Sequence, residues 1–195
     1  MATLRGPSEP FTQPMVHDLR RILKTSGRYR DLTLLEVHLS TCLRGCDVLA
    51  LKVGDIRAEL TVRQKKTKKR VKCYLGPEAL DAFKRYMATR PCATKEDWAF
   101  PGYNGASLSA LHYGVLIKDW IALLRQSSPK WRSTLDPLHY GTHSIRNTLP
   151  THVYAKTGKT VVCMHMLGHA TEKETVRYLG IDETKAREIA AQYPI

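Results

Sequence analysis

The segment SLSALHYGVLIKDWIALLRQS, residues 107–127, runs without proline and repeats apolar residues at helical spacing, so Leu108, Leu111, Val115, Trp120 and Leu124 are expected to share one face. A helix of that length has to bury its stripe against other elements, which makes helix packing the organising principle of the fold. Other segments agree. Pro14 occupies a first helical position, and Met15, Leu19, Ile22 and Leu23 form a stripe reaching about Thr25. In DLTLLEVHLSTCLRG, Leu32, Leu35, Val37, Leu39 and Leu43 fit a mostly buried helix that ends at Arg44, before Gly45. Pro77 opens a further helix with apolar residues at 80, 83 and 87. Only RAELTVRQ and VKCYLG alternate at period two, and the basic run KKTKKR between them marks the tip of a β-hairpin. The expected class is α+β, mainly helical with a small antiparallel sheet.

The second half continues the pattern. Residues 91–106 are loop-like, and SPKWRSTLDPLHYG reads as a polar connection. In THSIRNTLPTHVYAKTG, Thr142 is the expected N-cap, and Pro150 should kink or break the helix, since it has no N–H for the Arg146 carbonyl. KTVVCMHMLGH is a helix stopped at Gly168. Thr171 and Glu174 make a capping-box pattern that starts the next helix, which ends at Gly180, and Asp182 caps a final helix over 182–193. A flexible arm over 1–13 and one domain over 14–195 are the expected organisation of a chain of 195 residues.

The charge balance narrows the partner. Lys+Arg 31 against Asp+Glu 18 gives +13, the footprint of a phosphate-backbone binder. An anionic membrane surface is the rival partner, but the cations are scattered along the chain and not gathered on one amphipathic helix. No run of about 18 apolar residues is present, and MATLRGPSEP lacks the apolar core of a secretory signal, so a soluble, cytoplasmic protein is expected. Five cysteines, an odd number without framework spacing, point to reduced thiols. His139 with His143, and His165 with His169, stand four apart near Cys163, but without a paired CxxC or HExxH no metal site is assigned.

Several polar residues recur in a telling order: Thr41-Cys42-Leu43-Arg44, Lys66-Thr67, His143-Ser144-Ile145-Arg146, Leu167-Gly168-His169 and Tyr178. From about Phe11 to Tyr193 the chain resembles the catalytic domain of the tyrosine recombinase, or phage integrase, family. TCLRGCDVLALKVGDI is similar to its first-arginine segment, QKKTKKRVKCYLG to its lysine hairpin, THSIRNT to its H-x-x-R box, and LGHATEKETVRYLGI to its His and Tyr segment.

The resemblance implies a site-specific DNA recombinase that cleaves and rejoins DNA through a 3′-phosphotyrosine, without ATP, metal or other cofactor. Tyr178 is the implied nucleophile, and Arg44 and Arg146 the clamps on the phosphate, where planar bidentate donors suit charge growing on the non-bridging oxygens. Lys66 is the implied acid for the leaving 5′-oxygen. His143 and His169 are the implied phosphate donors, with His143 also able to take the tyrosine proton, and Asp47 supports. Lys65, Lys68, Lys69 and Arg70 are expected to bind DNA phosphates, the alternative being a solvated basic tip. Double-stranded DNA is the implied partner, with a homotetramer on DNA, a monomer when free, and an accessory DNA-binding protein as a further partner. A bacterial, phage- or plasmid-encoded protein near the nucleoid would fit.

The sequence departs from the family pattern in places. Asn147 follows Arg146 where a second histidine is common, and Cys42 stands where a glycine is frequent. Family integrases carry an N-terminal helical domain that closes a clamp on DNA, whereas about fourteen residues precede the first helix here; a natural short recombinase is the reading that Met1 favours over an excised domain. A topoisomerase-like nicking enzyme and a non-catalytic DNA-binding regulator are the alternatives.

Overall fold

The computed structural model describes residues 8–180 and Ala191. Residues 1–7 of the expected arm, and the helix expected over 182–193 apart from Ala191, lie outside the described residues. Contacts divide the chain into two compact units, Met1–Leu149 and Pro150–Ile195, within the stretch expected to be one domain.

In the first unit, α1 (Gln13–Thr25) begins where the Thr12 hydroxyl accepts from the Met15 N–H, with proline at the start as expected. It buries Met15, Val16, Leu19 and Leu23. The arm is ordered before that point: the Phe11 ring is buried, and its N–H donates to Thr148 Oγ1 at 2.9 Å. Within the arm expected over 1–13, Phe11 is thus buried and Thr12 caps α1.

Next comes α2 (Tyr29–Thr41), buried on nearly every side and packed against both α1 and α4 (Pro77–Ala88). It stops at Thr41, not Arg44, because Cys42 turns left-handed at φ 49 and ψ 23. Arg44 therefore leaves the helix and stands, in extended conformation, before the short α3 (Gly45–Val48). β1 (Glu59–Arg63) and β2 (Arg70–Tyr74) pair antiparallel, Val62 opposite Val71, as the alternation predicted.

The long helix α5 (Ala110–Ser127) forms where expected, capped by Ser109, but its buried face is Tyr113, Ile117, Trp120, Ile121 and Leu124. Leu111 and Val115 are exposed. The helix carries apolar residues on two phases, and the i, i+4, i+7, i+8 set from Tyr113 is the one continuous enough to fill the core. In α4 the buried residues Ala79, Ala82 and Tyr86 are likewise shifted one position from those expected. The connection after α5 is not merely polar loop: Ser128 caps α6 (Pro129–Thr134), and the Trp131 indole N–H donates to Asp18 at 2.8 Å.

The box helix α7 (Thr142–Thr157) is helical through Pro150, the first residue of the second unit. That unit continues with α8 (Thr160–Leu167), closed by left-handed Gly168, and α9 (Glu172–Tyr178). The Thr171 hydroxyl accepts from Glu174 N–H as expected, while Glu174 Oε2 accepts at 3.1 Å from the N–H of Ala170, one residue before the N-cap that a capping box would use.

Candidate active site

The left-handed turn at Cys42 puts consecutive carbonyls within reach of buried side chains from two other parts of the first unit. Arg146, only 2% exposed, donates from Nη1 to Cys42 O at 2.6 Å. His38, fully buried, contacts Leu43 O from Nε2 at 3.0 Å and the Tyr113 hydroxyl from Nδ1 at 2.7 Å. A carbonyl can only accept, so Nε2 carries the proton and Nδ1 accepts from Tyr113. Burial lowers the His38 pKa to about 3, which keeps the ring neutral. Residues 42 and 43 are thus gripped from both sides, and Arg44 follows directly.

Gly45 allows the next approach. A Cβ there would meet Thr142 Cβ at 3.1 Å and Cγ2 at 3.2 Å, so any larger residue at the start of α3 would push the start of α7 back by a few tenths of an ångström. His143, an exposed residue, comes next on α7, and its pKa is lowered first by partial desolvation and then by the charges of Arg146, Arg44 and Lys66. Arg146 bonds the carbonyl two residues before Arg44, Gly45 abuts the residue before His143, and Arg44 reaches the hairpin base through Gln64, so the segments that carry Arg44, Lys66, His143 and Arg146 adjoin.

The hairpin tip is tied to the same place. Arg44 Nη1 donates to Gln64 Oε1 at 2.8 Å, and the Thr67 hydroxyl donates to that same oxygen at 2.6 Å. Asp47, 1% exposed, accepts the Lys65 N–H through Oδ1 at 2.8 Å. Lys65, Lys66, Lys68, Lys69 and Arg70 are all exposed, on a tip that turns through Lys68 at φ 59.

In the second unit, His169 and Tyr178 are ring neighbours, their centroids 5.0 Å apart and their planes at 86°. His169 Nδ1 also lies 3.1 Å from the buried Thr175 hydroxyl. The tight turn at Gly168, with φ 64, is what folds the histidine back toward the end of the following helix. Among the described residues no group of three His, Cys, Asp or Glu side chains could hold a metal, and His139 meets Glu9 Oε1 instead, at 3.1 Å.

Sequence reading missed Gln64, His38 and the role of Gly45. Gln64 was within reach: Leu60 and Val62 point inward, and continuing the period-two alternation places residue 64 on the same side. His38 sits on a helix buried all round, where no amphipathic contrast marks one polar residue.

A mainly helical fold with one hairpin, bearing two arginines, a lysine and a histidine on adjoining segments, defines the class, and the chain belongs to the Phage integrase family, whose sequence profile matches residues 11–185. Among its relatives is the tyrosine recombinase XerC of Leptospira interrogans, 23% identical over 163 residues, covering 82% of this chain and 49% of that one. The chain thus spans about half the length of the curated relatives it matches first. The crystal structure of XerA recombinase superposes with a TM-score of 0.73 at 19% identity, covering 97% of this chain and 67% of that one. A post-cleavage complex of the XerH site-specific recombinase with a palindromic difH substrate gives 0.71 at 17% identity, covering 95% of this chain and 53% of that one.

Proposed function

We propose that this protein is a site-specific DNA recombinase that breaks and rejoins double-stranded DNA through a tyrosine intermediate. The observation that carries the reading is the joining of the Arg44 segment to Arg146 through Cys42 O and to the Lys66 hairpin through Gln64, in a chain of the Phage integrase family. Arg44 and Arg146 neutralise the charge that builds on the non-bridging oxygens as phosphorus becomes five-coordinate. Tyr178 Oη attacks phosphorus and forms the 3′-phosphotyrosine, and the bond from phosphorus to the 5′-oxygen breaks. A phenol of ordinary pKa ~10 must lose its proton on the way, and neutral His143 is the proposed acceptor. Lys66 protonates the departing 5′-oxygen, and His169 donates a hydrogen bond to the phosphate. Religation reverses these steps with a different 5′-hydroxyl, and the phosphotyrosine bond conserves the energy needed.

Asp47 supports the hairpin, and Lys65, Lys68, Lys69 and Arg70 hold phosphates beside the cleaved bond. Exchange between two duplexes takes four protomers, so a tetramer on DNA and a monomer in its absence are proposed, in the bacterial cytoplasm. The XerH structure that shares this fold is bound to its difH substrate, which supports DNA as the partner. The test uses a pool of nicked duplexes of randomised sequence, in which the short 5′-fragment diffuses away after cleavage and traps the adduct. Wild type should form an SDS-stable protein–DNA adduct and Tyr178→Phe should form none. Absence of adduct from wild type, or equal adduct from both, would overturn the proposal.

A further inference from the structure

Gln64 is 1% exposed and opens the lysine-hairpin segment without a role assigned to it there, yet a single atom of it touches two parts of the cationic cluster. Its Oε1 accepts from Arg44 Nη1 at 2.8 Å and from the Thr67 hydroxyl at 2.6 Å. Its backbone closes the hairpin tip: Gln64 N–H donates to Lys69 O at 2.9 Å, and Gln64 O accepts from Lys68 N–H at 2.9 Å. The residues so enclosed are Lys65, Lys66 and Thr67.

The orientation of this amide is determined. A guanidinium can only donate, so the oxygen and not the amino group faces Arg44. The amino group Nε2 is consequently buried without a hydrogen-bond partner among the described residues. An unsatisfied buried donor costs roughly 1–3 kcal/mol, similar to what the two accepted bonds contribute, so the amide adds little net stability. Its distinctive effect is geometric: one oxygen fixes the distance between the Arg44 guanidinium and the turn that carries Lys66.

We infer that Gln64 is a positioning residue that couples Arg44 to the Lys66 hairpin through its side-chain oxygen, so that phosphate clamping and protonation of the leaving group are aligned together. This rests on the recombinase reading above and adds to it a residue that touches neither phosphate nor nucleophile. Misplacement of about 1 Å in such an array costs up to a hundredfold in rate, while binding, spread over many phosphate contacts, is little changed.

The test takes a nicked duplex recovered from the randomised pool and measures single-turnover adduct formation at saturating DNA. Gln64→Met keeps the volume and removes the acceptor; it should melt with wild type, bind the duplex within about twofold, and form adduct roughly ten- to a hundredfold more slowly. A second duplex carries sulfur in place of the bridging 5′-oxygen, and its thiolate leaves without a proton. On it the Gln64→Met defect should shrink, the remainder reporting Arg44. Thr67→Val, which loosens only the hairpin side, should be slow on the oxygen duplex and as fast as wild type on the sulfur duplex. Adduct formation by both variants at the wild-type rate would overturn the coupling, as would a loss explained wholly by weaker binding or unfolding, or a Thr67→Val defect of equal size on both duplexes. No adduct from wild type would instead defeat the recombinase reading itself.

Discussion

Two histidines in the first unit have lowered pKa values, each by desolvation first and by nearby charge second. For His38 the cause is burial first, with Arg146 and His143 adding to it. Because the fold lowers its pKa from 6.5 to about 3, the unfolded chain binds a proton that the native chain refuses. The stabilising difference is fully present above pH 6.5 and is lost as pH falls toward 3, by on the order of 5 kcal/mol in all. His38→Gln can place an N–H on Leu43 O and an acceptor beside the Tyr113 hydroxyl without titrating. Urea midpoints measured from pH 7 to 4 should therefore fall less steeply for His38→Gln than for wild type, and parallel curves would refute this origin of the acid sensitivity. For His143, partial desolvation and the three cations act in the same direction. Its ring should titrate by NMR below 6.5, and Lys66→Ala should move the midpoint upward by removing one of the repelling charges. A midpoint at or above 6.5 in wild type would mean that the cations do not converge on it.

At the scale of elements, the termination of α2 is what frees Arg44 from helical geometry. Cys42 adopts the left-handed conformation that glycine tolerates and that costs other residues roughly 1–2 kcal/mol. Cys42→Gly removes that strain but also a buried side chain, so the two effects nearly cancel and its stability should stay within about 1 kcal/mol of wild type. Cys42→Val adds a branch at positive φ and should cost at least about 2 kcal/mol, as read from chemical denaturation. Cys42 thus occupies a backbone conformation in which glycine would be unstrained. Gly45 is constrained by space: in Gly45→Ala the new methyl meets Thr142 Cβ at 3.1 Å, an atom attached directly to the α7 backbone. Such a neighbour moves only if the helix moves. The alanine variant is expected to form adduct more slowly than wild type while Thr142→Ser, which removes the Cγ2 contact, partly restores Gly45→Ala; additivity of the two changes would contradict this contact as the cause.

Across the whole molecule, +13 of net charge governs encounter with DNA more than it governs fold. Affinity for duplex DNA should fall linearly on a log–log plot against salt, by on the order of a thousandfold between 50 and 200 mM if six or so phosphates are neutralised. A tight, salt-insensitive complex with a short duplex would show that another interaction dominates. Much of this molecule was legible before any coordinates. Helices, the hairpin and the caps at Thr171 and Gly168 depend on neighbours close in sequence, and Arg44, His143, Arg146, His169 and Tyr178 stand out because reactive side chains recur in a familiar order. What neighbours them did not stand out. The α5 helix offers two apolar phases, and only the elements packed on it select Tyr113 and Ile117 over Leu111 and Val115. The contacts of Gln64 with Arg44, of Arg146 with Cys42 O, and of His38 with Leu43 O join segments whose separation in sequence carries no period, so they arise only once the core fixes each helix in rotation and each strand in register. Local propensity and side-chain chemistry are written residue by residue, whereas the azimuth of a helix and the depth of a side chain are properties of packing, shared among segments that the linear order keeps apart.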